Sequence, residues 1–287
     1  MKIIPILLLF TALWGHAQPE AYRIYTAEGK NAKWNKMIDD LTEQQLVFFG
    51  ELHNSAIAHW LQLELAEAAY AKQPYLILGA EMFEADNQLL IDEYFADFIS
   101  QKSFEDEVRL WNNYETDYKP LVEFAKAKKL KFIGTNIPRR YASLVNKKGL
   151  EILDSLSSEA KKYLPPLPVP LDIEQPGYAH MLKMAQHMPG KKSNGENLAK
   201  AQAIKDATMA HFIVQHLEET ALFLHFNGRY HSDNHDGLVW YIKQYAPQTK
   251  LKTITTVLQS DISKMDEDHK NKADYVIVIN EKVTDTY

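Results

Sequence analysis

The sequence predicts an α/β fold: a mainly parallel central sheet with helices on both faces and a helical cap insertion. Three observations carry this. Six short apolar runs, at 46–49, 75–80, 131–135, 222–227, 252–258 and 274–279, are rich in β-branched and aromatic residues, as strands covered on both faces are. Helix-periodic segments alternate with them, which is the rhythm of strand, crossover helix and parallel strand. Residues from about 140 to 198 break that rhythm, because they contain no strand.

In chain order, residues 1–18 read as a secretory signal peptide. Lys2 precedes the apolar run Ile3–Phe10, and Gly15 and Ala17 are small residues spaced as in a signal-peptidase site. The run is too short for a stable membrane anchor. Cleavage after Ala17 removes Lys2 and takes the formal charge from −6 to −7. The remainder, 19–287, reads as one domain, with the cap at about 140–198.

After the first strand run, Asn54 or Ser55 caps a helix whose Ile57, Trp60, Leu61, Leu65 and Ala68 follow helical spacing. Pro120 suits the first turn of a later helix, with Leu121, Phe124 and Ala125 inward and Lys126, Lys128 and Lys129 near its C-terminal dipole. The cap holds a helix near 149–163, then the proline-rich run Leu164–Pro170, which favours an extended chain. A segment bracketed by Pro176 and Pro189 follows. Ala203, Ala207, Ala210, Val214 and Leu217 form a narrow stripe on the helix that leads into the fourth strand run.

Composition narrows the chemistry. The chain has 287 residues, 46% of them apolar and 24% charged, which is ordinary for a globular protein. It has no cysteine, so lipid attachment at an N-terminal cysteine, thiolate metal sites and thiol catalysis are excluded. Any metal must be held by His, Glu, Asp, Tyr or Met. The acidic balance and the lack of a Lys/Arg block argue against nucleic acid.

Two strand runs end in the same pattern, Gly50-Glu51-Leu52-His53 and Gly228-Arg229-Tyr230-His231. Glu81 follows the second run, Asn136 and Arg139 the third, and Asn227 closes the fourth. Parallel strands bring their carboxyl ends to one edge, where open α/β sheets bind ligands. The expectation is therefore one pocket in which His53, Glu81 and His231 converge to within about 10 Å. Arg139 is expected at its rim, and the 165–190 segment over or beside it. Two carboxylates and two imidazoles suit a divalent metal, or acid–base chemistry on water. The bland alternative is a polar plug with Glu51–Arg139 or Glu81–His231 as a salt bridge. His59 reaches toward the pocket or is a satisfied structural histidine, and His235 is similar.

The cap offers a second kind of site. Met181, Met184 and Met188 fall at i, i+3 and i+7, with Tyr178, His180 and His187 nearby. Such a face suits a flat aromatic ligand such as haem, whose iron accepts Tyr or His. The alternative is an amphipathic lid helix whose methionines pack on the core.

Taken together, Gly50–His53, Glu81–Gln88, Trp111 with Tyr118–Leu121, Asn136–Arg139, Ala201–Ala210 and Gly228–His231 resemble the ChaN-like haem-binding uptake proteins. These are related to Tiki metalloproteases and more distantly to erythromycin esterases. The similarity runs in order over roughly residues 35–260. It implies an exported, periplasmic or secreted protein of haem and iron acquisition. It also implies haem held between two subunits of a homodimer and ligated by tyrosine, with outer-membrane haem uptake machinery as a partner. Tyr178 and Tyr230 are the tyrosines in question, and Met184 and His187 stand beside them as cofactor-binding residues. The Tiki side implies a metal-dependent hydrolase in which His53, Glu81 and His231 hold Mn, Co, Fe or Zn. The esterase side implies that His53 and Glu81 activate water, with Glu51, Arg139 and His231 in the same site. The chain departs from the lipoprotein members in lacking the lipidated cysteine.

Overall fold

A computed structural model describes residues 19–186 and 195–287. The expected leader, together with His187 and Met188, lies outside the described residues, as does the side chain of Met184.

Seven strands form one sheet: β1 (Tyr22–Thr26), β2 (Leu46–Glu51), β3 (Leu76–Glu84), β4 (Lys131–Asn136), β5 (Leu222–Gly228), β6 (Leu251–Gln259) and β7 (Tyr275–Asn280). Their order is β1-β7-β6-β2-β5-β3-β4. Every pairing is parallel except the edge pair β1–β7. The six expected runs all form strands. β1 lies outside that expectation: Tyr22-Arg23-Ile24-Tyr25-Thr26 is a half-exposed edge strand and lacks a continuous apolar run.

The helices are α1 (Trp34–Leu41), α2 (Ala56–Lys72), α3 (Gln88–Phe95), α4 (Gln101–Glu107), α5 (Lys119–Ala127), α6 (Arg139–Lys148), α7 (Ser158–Lys161), α8 (Pro176–Gln186), α9 (Gly195–Gln215) and α10 (Leu238–Tyr245). They cover both faces of the sheet. Val47 and Phe49 of β2 pack in one core with Met37, Leu61 and Leu121 of α1, α2 and α5. Leu46 and Phe48 pack in another with Ala207, Met209, Leu238 and Ile242 of α9 and α10. This is why β2 is apolar at every position from 46 to 49: each face of the strand has its own core. Among the described residues no helix is long and apolar enough to cross a membrane.

Two helical details differ from the sequence reading. Ser55, one of the two expected caps, starts α2 and accepts from the Ala58 amide at 3.3 Å. The buried face of α2 includes His59 and Gln62, while Trp60 is 46% exposed. The helix is rotated from the apolar stripe because its polar side chains serve a buried carboxylate, Glu51. The helix expected near 149–163 is instead a 3₁₀ segment, Leu150–Ser155, followed by the single-turn α7. Gly149, at φ +83°, ends α6, and Ser157 caps afresh.

The described part of the cap packs on α9. Val145, Leu153 and Leu164 pack on Ala201 and Ile204, and Tyr178 packs on Ala199 and Ala203, with Met181 and Leu182 against that cluster. The small side chains of α9 let α8 approach closely, so this helix lies on the back of α9. Among the described residues of 140–198, Ala142 lines the strand-end cavity and none of 165–186 does.

Candidate functional site

Strand register builds the site. Glu51 of β2 lies beside Gly228 of β5, Ala80 of β3 lies beside Phe226, and Glu84 lies beside Asn136 of β4 after an irregularity in the β3–β4 pairing. The polar residues that follow these positions therefore share one edge. A cavity of about 530 Å³ opens there, with Glu51, His53, Glu81, Asn136, Arg139 and His231 in its lining. The expected convergence of His53, Glu81 and His231 is present. Both His53 Nε2 and Glu81 Oε2 lie against the same spot, 2.5 and 3.4 Å from where a Cβ on Gly228 would sit.

Two buried arrays flank the cavity. In the first, Glu51 accepts from the Tyr118 hydroxyl at 2.7 Å and from the Gln62 amide, and its Oε1 lies 2.8 Å from His53 Nδ1. Asn113 holds the other side of that loop, donating to the His53 carbonyl at 3.1 Å and to Asp117 at 2.7 Å. His59 Nε2 lies 3.0 Å from the same carbonyl, which makes it a structural histidine of this array. The Trp111 ring packs against His53 with centroids 5.0 Å apart. Burial alone would lower the His53 pKa, but the Glu51 hydrogen bond and the Glu81 and Glu51 charges outweigh it and hold the pKa above the ordinary value. Glu51→Gln is expected to return the His53 pKa toward the ordinary imidazole range, as read from its ring-proton shifts in an NMR pH titration.

In the second array, His231 Nε2 lies 3.0 Å from Glu81 Oε1, and His231 Nδ1 bonds Asp206. The Gly228 amide donates to Glu81 Oε2 at 2.7 Å, and the Tyr178 hydroxyl donates to Asp206 at 2.6 Å. The Gln202 amide lies 3.0 Å from each nitrogen of the His231 ring. Burial opposes charge on His231, yet its two carboxylate partners raise its pKa to about 10. Burial likewise opposes charge on Glu81, but His231, with His53 and Lys205 behind it, holds the carboxyl well below its usual range. Asp206 is raised, because burial outweighs the pull of His231.

Among the candidates of the sequence reading, Arg139 sits at the rim as expected, 70% exposed along its side chain and loosely paired with Glu84 at 3.8 Å. Glu51 pairs with His53 and not with Arg139, whereas the Glu81–His231 pair is present. Tyr230 stands at the mouth, 70% exposed, with the Arg229 guanidinium 4.8 Å from its ring centre. Tyr178 is buried behind Asp206 and outside the cavity lining. His235 pairs with Asp274 at 3.3 Å, also outside the lining. His187 lies outside the described residues, and Met184 is described only in its backbone.

Ligation requires a deprotonated imidazole lone pair. Both His231 nitrogens are bound to carboxylates, and the ring is held charged well above neutral pH. Among the described residues no group of three or more His, Asp or Glu is disposed to hold a metal ion. His53, Glu81 and His231 thus converge as an ionic hydrogen-bonded set.

Gln202, Lys205 and Asp206 were outside the sequence reading of the site. They fall at i, i+3 and i+4 on α9, a polar stripe beside the apolar one, and that spacing is the signal that marks them.

Comparison with known proteins fits this geometry. The family described as haem-binding uptake, Tiki superfamily, ChaN matches residues 37–242. The chain belongs to this family. The fold is similar to that in a structure described as cofacial heme binding to ChaN of Campylobacter jejuni, with TM-score 0.67 and 18% identity over 90% of this chain and 97% of that one. An erythromycin esterase mutant in its open conformation aligns with TM-score 0.51 and 9% identity over 92% of this chain and 100% of that one. A Bacillus cereus protein aligns with TM-score 0.51 and 11% identity over 91% and 95%. At these identities the structures share the fold. No curated protein sequence matches the chain.

Proposed function

We propose that this ChaN-family chain is an exported haem-binding protein of haem and iron acquisition, with haem seated at the mouth of the strand-end cavity. The observation that carries the reading is Tyr230, which follows β5 at the mouth and whose hydroxyl makes no hydrogen bond among the described residues. A tyrosine is an established axial ligand of haem iron. Tyr178 does not fit that role: its hydroxyl is consumed by Asp206, and burial pushes its pKa well above the ordinary value. The rim fits the ligand's carboxylates, since Arg139 is mostly exposed and Lys205 lines the cavity with no ion pair among the described residues. Trp111 and Tyr287 supply aromatic surface on the same lining. When bound, haem supplies an iron centre open to phenolate ligation. Tyr230, Arg139 and Lys205 would hold it, with Trp111 and Tyr287 beside them.

Hemin titrated into the protein is expected to give a shifted Soret band of defined stoichiometry, and Tyr230→Phe to weaken binding by about tenfold or more. Spectra identical to hemin with a non-binding control protein would refute the reading. A homodimer closing over the exposed mouth and delivery through outer-membrane uptake machinery belong to the same proposal. Sedimentation with and without hemin tests the dimer.

A second, metal-free reading is favoured by one observation. Asn136 donates to the Glu81 carbonyl at 3.0 Å, but its own buried Oδ1 has no partner in the cavity wall beside the ionised Glu81. That pair of acceptors suits a bound water, which Glu81 would orient for attack on an ester while His53 protonates the leaving group. Turnover of p-nitrophenyl acetate that is lost in Glu81→Gln would support it. Equal rates in both proteins would leave the binding role alone.

A further inference from the structure

Segments outside helices and strands are poorly ordered unless tied down, because fixing each residue costs about 1–2 kcal/mol of backbone entropy. The segment after β7 is tied down, and to one place. Val283 packs on the sheet core. Asp285 bridges Ser55 in antiparallel fashion. The Thr286 amide donates to the Asn54 carbonyl at 2.8 Å, and its hydroxyl donates to Asp117 at 2.9 Å. These partners frame His53: Asn54 and Ser55 follow it, and Asp117 binds the Asn113 amide that grips the His53 carbonyl. The next residue, Tyr287, is 69% exposed yet lines the strand-end cavity together with His53, Asn54 and Trp111.

We infer that residues 283–287 are a wall of the ligand site: Thr286 positions the loop that carries His53, and Tyr287 is a ligand-contacting residue that selects a flat aromatic ligand. The selection of a flat ligand rests on the haem reading above; the positioning role does not. Trp111, Tyr230 and Tyr287 present three rings from three distant parts of the chain to one opening. Such rings hold a planar π-system by offset or edge contacts and give little to a small polar one. The hydroxyl of Thr286 acts at one remove, through Asp117 and Asn113, on the carbonyl of His53.

Four full proteins test this: wild type, Tyr287→Ala, Thr286→Val, and a deletion of 284–287. Two readouts are taken, amide hydrogen exchange across 52–59 without ligand, and hemin affinity by Soret titration. Thr286→Val and the deletion are expected to speed exchange in 52–59 at least tenfold while the β2 and β5 amides stay protected. Tyr287→Ala is expected to leave exchange unchanged and to weaken hemin binding about tenfold. Unchanged exchange in the deletion overturns the positioning role whatever hemin does. A wild-type Soret shift reproduced at equal affinity by Tyr287→Ala overturns the contact. No Soret shift in wild type refutes the haem reading and the aromatic selection with it, while the exchange data still decide the positioning role.

Discussion

Asp206→Asn is expected to cost about 3–5 kcal/mol of folding stability, the penalty for removing one member of a buried ion pair. Asp206 is fully buried on α9, with His231 on one oxygen and the Tyr178 hydroxyl on the other. An amide keeps the tyrosine partner but leaves the imidazolium with Glu81 as its one carboxylate. The same variant changes the pH profile. The His231 pKa rises from 6.5 to about 10 on folding, so its contribution is complete below pH 6.5 and is lost as pH rises through 10. Glu81 is shifted the other way, so its contribution is present above 4.5 and is lost as pH falls further. Urea titrations should therefore show wild-type stability falling between pH 6.5 and 10, and Asp206→Asn should flatten that fall. An unchanged slope would mean that Asp206 does not sustain the charge on His231. Tyr178→Phe separates the charge from the hydrogen bond: it should cost about 1–3 kcal/mol, with the slope retained.

The strand ends were legible because burial on both faces makes a parallel strand read as an unbroken apolar run, and parallel strands put their ends on one edge. That argument alone brings Glu51, His53, Glu81 and His231 together from positions spread over most of the chain. It says nothing of what stands behind them. Asp206 and Gln202 come from the middle of a long helix whose apolar stripe of Ala203, Ala207 and Ala210 masks the polar one beside it. His59 and Gln62 rotate α2 away from its apolar pattern, because a buried Glu51 needs donors more than Trp60 needs cover. Tyr178 misleads for a related reason. Its place in a Met-rich helix reads as a ligand-facing surface, but its hydroxyl serves Asp206 from the far side. The tail at 283–287 has no periodicity at all; only its hydrogen bonds reveal where it lies.

Gly228→Ala is expected to remove His53 from the site. Gly228 has φ −57° and ψ 135°, a conformation open to any residue, so space and not backbone freedom is what demands glycine here. An added Cβ would sit 2.5 Å from His53 Nε2 and 2.6 Å from Cε1, well inside contact distance. The imidazole can yield, because its side chain is 37% exposed and the solvent side is open. Yielding breaks its bond to Glu51 and withdraws it from the Glu81 charge, so the pKa of His53 should fall back toward the ordinary value. The stability cost should stay near 1–3 kcal/mol, typical of overpacking that a side chain can relieve. The site should suffer as well, with hemin affinity down about tenfold, or about 1.4 kcal/mol, as the displaced ring fills the mouth. Gly50→Ala is the contrasting case: its Cβ would meet the Arg229 Cα at 3.0 Å and the Ile254 carbonyl oxygen at 3.1 Å, both backbone. There the strands themselves must part, so stability should suffer more while His53 keeps its raised pKa. An NMR titration of His53 beside thermal melts of both variants separates the two. A normal His53 pKa shift retained in Gly228→Ala would show that the ring is not packed against β5, and with that the close approach of His53 to Glu81 would fail.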